Sequence, residues 1–201
     1  MSPTRRVKRL LDVAICVLTL PVTLPVMAVV AVAVRATSRG PVLYRARRMG
    51  RGGTAFDLLK FRTMTHGSSG PGVTRAGDGR ITPVGRWLRA SKLDELPQLV
   101  NVLRGQMSIV GPRPEDPTYL HAYDGEHLEV LTVPPGMTSL ALFRFGDEQS
   151  FIERAGPADV ESFYLAEVLP VKLDIELGYV RNWTLRGDLG ILARTATAMF
   201  S

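Results

Sequence analysis

The sequence predicts an α+β fold in which an N-terminal helix-break-helix anchor enters and leaves the membrane through the same face. Three observations support this fold. An uncharged run at residues 13–34 has basic residues on both sides, and two strand-like runs flank a glycine-rich turn at residues 50–53. Much of the remaining chain spaces its apolar residues as helices do. The predicted body therefore combines a small antiparallel β element with several helices, including amphipathic helices on the membrane surface.

The uncharged run is long enough to cross a bilayer. A straight helix of its 22 residues would measure about 33 Å, so a transmembrane span or a signal peptide is the simplest alternative. Basic residues lie on both flanks, namely Arg5, Arg6, Lys8, Arg9, Arg35, Arg39, Arg45, Arg47, Arg48 and Arg51. Because positive charge favours the cytoplasmic side, one straight span cannot satisfy both flanks. Pro25 is the predicted bend, since an interior proline removes a helical hydrogen bond.

Charge divides the chain unevenly. The net charge is +6, but residues 1–113 carry 19 Lys and Arg against 5 Asp and Glu, and residues 114–201 carry 6 against 14. A basic half of this kind suits anionic lipid or phosphate. Nucleic acid is a poor candidate partner, because the arginines surround an apolar segment and aromatic residues make up only 7%. The single cysteine, Cys16, excludes a disulfide framework and indicates a reducing compartment.

We expect two parts, a membrane anchor at residues 1–38 and one integrated unit at residues 39–201. The unit should open with strands at residues 42–45 and 55–62 and a mobile loop at residues 65–80. Apolar spacing then predicts helices at residues 81–88, 96–103, 119–130, 158–181 and 183–200. The last of these is amphipathic and suited to lie along the membrane.

Two adjacent carboxylates, Asp94 and Glu95, come just before Pro97 and an apolar helical pattern that stops at Gly105. Since proline is tolerated in the first turn of a helix, the carboxylates should open a helix of roughly ten residues, with Ser91 as its cap. Acidic residues favour helix N-termini in any case, so the pair alone does not define a site.

The neighbouring charges make the pair more informative. Arg86, Arg89 and Lys92 precede it, and a rigid turn at residues 111–114 follows the helix. Basic side chains beside a helix N-terminus bind anions. Carboxylates within such a site are explained if they hold a divalent cation or if one of them attacks phosphorus.

Four motifs in this region resemble the signature of the bacterial sugar transferases, which are monotopic phosphoglycosyl transferases that begin glycan assembly on a polyprenyl-phosphate carrier. They are Lys60-Phe61-Arg62-Thr63-Met64, Leu93-Asp94-Glu95-Leu96-Pro97-Gln98-Leu99, Asn101-Val102-Leu103-Arg104-Gly105 followed by Met107-Ser108, and Gly111-Pro112-Arg113-Pro114. The likeness extends from about Lys8 to the C-terminus and weakens between residues 134 and 160.

The resemblance implies an enzyme that transfers a sugar-1-phosphate from a UDP-sugar to polyprenyl (undecaprenyl) phosphate and releases UMP. Asp94 would be the nucleophile that forms an aspartyl-phosphosugar, and Glu95 with Asp94 would hold Mg²⁺ or Mn²⁺. The implied phosphate- and substrate-binding residues are Lys60, Arg86, Arg89 and Arg113. The implied location is the cytoplasmic face of the bacterial inner membrane, with membrane lipid as a partner, in the first membrane step of exopolysaccharide or lipopolysaccharide assembly. Homo-oligomerisation stays open.

The sequence departs from the family pattern at three places. Leu24 stands where a serine usually precedes the bend proline, and Pro134 stands where arginine is usual. Residues 140–148 lack the Gly-Trp-Ala-Gln sequence of many members, so the sugar is not predicted. Two other classes stay open from the residues alone: a membrane-anchored scaffold that binds anionic lipid, and a metal-dependent phosphohydrolase. The scaffold explains the charge asymmetry but not carboxylates placed among phosphate-binding groups.

Overall fold

A long apolar helix leads into a body that is built on a β-hairpin and surrounded by shorter helices. The computed structural model describes residues 3–68, 78–145, 156 and 159–199. The strands are β1 (Leu43–Met49), β2 (Ala55–Phe61), β3 (Ser108–Val110) and β4 (Gly136–Thr138). The α-helices are α1 (Pro3–Thr37), α2 (Pro83–Ala90), α3 (Gln98–Leu103), α4 (Leu142–Phe145), α5 (Val160–Phe163), α6 (Leu169–Arg181) and α7 (Leu185–Met199). This mixture of helices and small sheets confirms the α+β class.

Helix α1 contains the whole uncharged run and continues through Pro21 and Pro25. Its residues Arg5–Thr37 are long and apolar enough to cross a membrane. The Thr19 hydroxyl donates to the Ile15 and Cys16 carbonyls, and the Thr23 hydroxyl donates to Thr19. The helix does not end at Pro25, so the predicted break is not seen as an interruption, and the re-entrant path stays a prediction.

The two ends of α1 both pack on the body, whereas its middle does not. Near the N-terminal end, Asp12 accepts hydrogen bonds from the Ser108 hydroxyl and the Ile109 N–H. Near the C-terminal end, Val34 packs with Leu88 in a buried apolar cluster. Most side chains at residues 17–25 are exposed, among them Val17, Leu18, Val22 and Leu24. An apolar surface of this size away from the body is what lipid would cover.

The hairpin confirms the predicted β element. β1 and β2 are antiparallel, with Leu43 opposite Phe61 and Met49 opposite Ala55. Gly52 and Gly53 have φ of +71° and +72° in the turn, a conformation that glycine adopts without a steric penalty. Ala46, Phe56 and Leu58 are buried against α3 and β3 in the central core. The register also places Lys60 near the end of β2, beside the predicted carboxylates.

The acidic half is helical, but two features differ from expectation. The helix predicted at residues 119–130 is two 3₁₀ helices, Pro117–Ala122 and Gly125–Thr132, because Tyr123 and Asp124 between them are extended. β3 and β4 form a parallel pair that was not predicted. The helix predicted at 158–181 is present as α5, a π-helical turn at Tyr164–Val168, and α6. The terminal helix is present as α7. Residues 69–77 of the predicted loop and 146–148 of the divergent segment lie outside the described residues.

Candidate active site

Helix α2 leads the chain into the site. Pro83 occupies its first turn and the Thr82 hydroxyl accepts a hydrogen bond from the Gly85 N–H, which caps its N-terminus. A Cβ on Gly85 would lie 2.0 Å from the Thr63 carbonyl oxygen, so only glycine lets α2 approach the end of the hairpin this closely. The helix therefore arrives at the carboxylates already fixed against the Lys60-Phe61-Arg62-Thr63 strand end.

The carboxylates lie on a separate turn and do not open a long helix. Leu93–Glu95 is one 3₁₀ turn, and α3 begins only at Gln98 with Pro97 at its N-cap. The predicted helix of about ten residues is therefore wrong in length, although Gly105, with φ of +77°, follows its C-terminal end as expected. Lys92, with φ of +57°, is the one non-glycine residue with a positive φ in the described ranges. Its left-handed conformation turns the chain sharply before Asp94, and such strain is typical of functional sites.

Ser91 does not cap the carboxylate helix. Its hydroxyl donates to the Trp87 and Leu88 carbonyls, so it satisfies the C-terminal end of α2. The prediction failed because Ser91 follows one helix and precedes another within a few residues. A serine side chain can serve either end, and the left-handed Lys92 decides between them.

Glu95 accepts hydrogen bonds from two cations that lie far away in the sequence. Lys60 Nζ is 2.8 Å from Glu95 Oε1. Arg113 Nη2 is 2.7 Å from Oε1, and Arg113 Nη1 is 3.3 Å from Oε2. We call Lys60, Glu95 and Arg113 the front cluster. Their side chains keep 26%, 17% and 32% of their surface exposed, so the cluster is open to a substrate.

The cations of the front cluster favour the ionised form of Glu95. Burial alone would raise the pKa of Glu95, but the charges of Arg113 and Lys60 hold it far below its ordinary value. Burial lowers the pKa of Lys60, and the neighbouring Arg113 acts in the same direction, while Glu95 opposes both. Glu95 is therefore ionised at any physiological pH, and with both cations protonated the cluster carries one more positive charge than negative.

Asp94 differs from Glu95 in its surroundings. It is 6% exposed, and burial, aided by the adjacent Glu95, raises its pKa, against the opposing charges of Lys60 and Arg89. Loss of solvent makes a carboxylate a stronger nucleophile, because its charge is poorly hydrated. The charge of Lys60 acts on Asp94, so the structure places these two candidate site residues near each other.

The other two predicted cations, Arg89 and Arg86, differ in their position relative to Asp94. Arg89 is half-buried, and its Nε donates to the Thr63 hydroxyl at 2.9 Å, which orients the guanidinium near Asp94. Arg86 is exposed on α2 and does not figure among the charges that shift the pKa of Asp94. Thr63 was missed as an orienting residue, although it stands in the quoted basic motif.

Arg113 is placed by two backbones that approach each other closely. A Cβ on Gly136 would lie 2.1 Å from the Gly111 nitrogen, and one on Gly111 would lie 2.9 Å from the Pro134 carbonyl oxygen. This approach lets β3 and β4 pair, and it brings the Met137 carbonyl within 3.2 Å of Arg113 Nη1. Pro134, which replaces the usual arginine, contributes to this packing through its carbonyl.

Two buried amides behind the carboxylates were also missed. Asn101 on α3 accepts from the Leu59 N–H and donates to the Asp57 carbonyl, which ties α3 to β2. Gln98 is fully buried, and within the described residues neither of its side-chain polar atoms has a hydrogen-bond partner. Both lie inside the quoted motifs, which is the one sequence signal that pointed to them.

The carboxylates suit a metal ion that is shared with a substrate. Within the described residues no cluster of three or more His, Cys, Asp or Glu is arranged to hold a metal. Mg²⁺ sites that handle phosphate commonly use one or two carboxylates together with substrate oxygens. Glu95 is ionised and its Oε2 makes only the 3.3 Å bond to Arg113 among the bonds described, so Glu95 and Asp94 fit that role.

A buried carboxylate beside an ionised one, held by lysine and arginine on a body that carries a long apolar helix, is an arrangement that suits a membrane-associated enzyme of the phosphate-transferring class. Comparison with known proteins agrees. The chain belongs to the bacterial sugar transferase family, which it matches over residues 3–201.

Three curated relatives illustrate the match. The chain is 38% identical over 199 residues to UDP-glucose:undecaprenyl-phosphate glucose-1-phosphate transferase of Caulobacter vibrioides, covering 96% of this chain and 70% of that protein. It is 34% identical to the Escherichia coli protein of the same name, covering 95% and 39%. It is 33% identical to UDP-N-acetylgalactosamine-undecaprenyl-phosphate N-acetylgalactosaminephosphotransferase of Aeromonas hydrophila, covering 94% and 42%. The chain thus spans about two fifths of the length of the latter two.

Proposed function

We propose that this chain transfers a sugar-1-phosphate from a UDP-sugar to undecaprenyl phosphate, giving undecaprenyl-diphosphate-sugar and UMP. The observation that carries the proposal is the pairing of a buried Asp94 with an ionised Glu95 that Lys60 and Arg113 hold. The printed names of the relatives describe this reaction with glucose or N-acetylgalactosamine as the sugar.

The reaction brings two negatively charged groups together, and the basic residues reduce their repulsion. An anionic nucleophile must approach an anionic diphosphate, and each repulsion between unit charges 4 Å apart costs about 4 kcal/mol at an effective dielectric of 20. Lys60, Arg89 and Arg113 offset this cost by binding the phosphate oxygens. The front cluster is prepared for that role, because its net positive charge is already oriented before the substrate arrives.

Asp94 carries the transfer in two steps. Its carboxylate oxygen attacks the phosphorus that bears the sugar, a new O–P bond forms, and the bond from that phosphorus to UMP breaks. An oxygen of undecaprenyl phosphate then attacks the same phosphorus and releases Asp94. Glu95 and Asp94 would hold Mg²⁺ or Mn²⁺, which supplies Lewis-acid stabilisation of phosphate charge when bound. Splitting one displacement into two predicts ping-pong kinetics.

The test uses purified protein in lipid vesicles with a panel of UDP-sugars. UMP release that requires undecaprenyl phosphate for turnover, with a sugar-phosphate adduct on the protein when the acceptor is withheld, is the expected result. Steady release of free sugar-1-phosphate without acceptor would identify a phosphohydrolase instead. Neither UMP nor adduct with any UDP-sugar would leave the lipid-binding scaffold as the better explanation.

We also propose that α1 re-enters the membrane from the cytoplasmic face of the bacterial inner membrane and bends near Pro25. The support is that both ends of α1 contact one body: Asp12 bonds Ser108, and Val34 packs on Leu88. A single span would separate its ends by about 30 Å of hydrocarbon, and one folded body does not occupy both sides. Exposed Leu24 lies in the part of α1 that would be deepest in lipid.

Cysteine labelling tests this topology on both flanks. In a Cys16→Ala background, Val7→Cys and Ala36→Cys each add an exposed thiol without removing a charge. In intact cells both thiols should resist an impermeant maleimide, and both should react after lysis. Reaction of either one in intact cells would mean a true span and would contradict the re-entrant path.

A further inference from the structure

Behind the front cluster lies a second group of charged and polar side chains that the proposed reaction does not use. It consists of Glu115, Tyr164, Lys172 and Glu176, which we call the rear cluster. Each is at least nine-tenths buried. Tyr164 belongs to the π-helical turn, and Lys172 and Glu176 lie on α6. Ions that are buried this deeply are costly unless they are well paired and further hydrogen bonds satisfy them.

Lys172 fixes one side of the turn that carries Arg113. Its Nζ lies 2.6 Å from Glu115 Oε1 and donates to the Tyr164 hydroxyl at 2.9 Å. The Tyr164 hydroxyl in turn donates to Glu115 Oε2 at 2.8 Å. Both oxygens of Glu115 are therefore bound, and the residue two positions after Arg113 is held to α6.

Glu176, one helical turn after Lys172, fixes the other side. Its Oε1 accepts a hydrogen bond from the Arg113 backbone N–H at 3.4 Å. Burial raises the pKa of this carboxyl, and the nearby Ser139 hydroxyl and Ala141 N–H act against that rise. Its buried Oε2 has no hydrogen-bond partner within the described residues. The carboxyl thus lies between the Arg113 backbone and the segment that follows β4. That segment begins two residues after Met137, whose carbonyl accepts from the Arg113 guanidinium.

We propose that Glu176 is a positioning residue that sets the place of Arg113, and through it of Glu95, although it does not contact the substrate. This inference rests on the proposed function. Near its tip the guanidinium donates to Glu95 and to the Met137 carbonyl, and Glu176 lies between the two backbone segments behind them and accepts from the Arg113 N–H. A displacement of Arg113 by about 1 Å is enough to lower a rate by about 10².

A double-mutant cycle tests the proposal through UMP release. Glu176→Met keeps an unbranched side chain of similar length but removes the acceptor of the Arg113 N–H, so it should lower kcat by about ten- to a hundredfold. In an Arg113→Ala background the same change should cost less than twofold, because the residue that it positions is gone. Equal losses in both backgrounds would mean that Glu176 acts on the fold in general and would overturn the proposal.

Two controls separate the possible failures. Glu167→Gln removes an exposed carboxylate from the same helical stretch and should leave kcat and KM unchanged. Thermal unfolding of each variant shows whether enough folded protein is present at the assay temperature, and Glu176→Asp provides a second variant that keeps the acceptor. Wild-type activity in both Glu176 variants would overturn the inference. Inactive wild-type protein would refute the proposed function itself.

Discussion

The front and rear clusters are built from the same kinds of side chain but differ in exposure. In the front cluster, 17–32% of each side-chain surface stays exposed, whereas Lys172 and Glu115 in the rear cluster keep 6% and 10%. An exposed ion pair can exchange partners with an incoming phosphate, and a sealed pair cannot. We propose that charge in this protein has two uses: the front cluster would meet the substrate, and the rear cluster would hold the front cluster in place. Four experiments test that distinction.

The largest expected effect is at Asp94. Asp94→Asn keeps the shape but removes the nucleophilic charge, so UMP release should fall at least about 10⁴-fold and the protein adduct should disappear. Intact-protein mass after incubation with UDP-sugar measures the adduct. The fold should survive, since the change removes a buried carboxylate. Wild-type turnover in this variant would sink the nucleophile assignment.

The cations of the front cluster come next. Lys60→Ala and Arg113→Ala should each lower kcat/KM by about 10²–10³, the scale for losing one preorganised charge-stabilising group. Arg104→Ala, an exposed cation just after α3, is the matched control and should stay within twofold. Losses below threefold at both sites would show that Lys60 and Arg113 serve structure and that the front cluster is not catalytic.

The rear cluster should make the free energy of unfolding depend on pH. Burial raises the pKa of Glu176 to about 7 from its ordinary 4.5. The unfolded chain releases this proton near pH 4.5 and the folded chain keeps it to about pH 7. The contribution to stability is thus fully present below pH 4.5 and is lost as pH rises through 7. The loss amounts to about 3 kcal/mol.

Glu176→Gln should reduce this loss of stability with rising pH. Denaturant unfolding in detergent between pH 5 and 8 gives the free energy of unfolding, and the wild type should lose more of it than the variant does. Glu167→Gln should follow the wild type. An unchanged slope in Glu176→Gln would show that the carboxyl titrates normally and that the rear cluster is not sealed.

The smallest effect concerns the metal. A neutral amide is a weaker ligand for a hard cation than a carboxylate is, so Glu95→Gln should raise the Mg²⁺ concentration for half-maximal UMP release by about tenfold. Titration of Mg²⁺ at saturating substrates measures this directly. A lower kcat with the same Mg²⁺ requirement would restrict Glu95 to holding Lys60 and Arg113.

The secondary-structure elements that depend on neighbouring residues could be predicted from the sequence alone. The glycines at residues 50–53 between two strand-like runs specified the β1–β2 hairpin. Apolar spacing specified α7 within a few residues and the longer helical region that contains α6, and the uncharged run marked the centre of α1. The motifs also specified the family and grouped Asp94 and Glu95 with Lys60 and Arg113 as candidate site residues. Periodicity, turn chemistry and motifs are properties of neighbouring residues, so one sequence is enough to show them.

Which side chains and backbone segments contact each other could be seen only in the tertiary structure. It assigned Ser91 to the end of α2, separated α2 from the carboxylate turn through the left-handed Lys92, and paired β3 with β4 across the close approach of Gly111 and Gly136. It also sealed Glu176 behind Arg113. These outcomes depend on the free-energy cost of burying charge and on contacts between residues that lie tens of positions apart. Local sequence patterns do not show burial or distant contacts, because both arise only when the chain has folded.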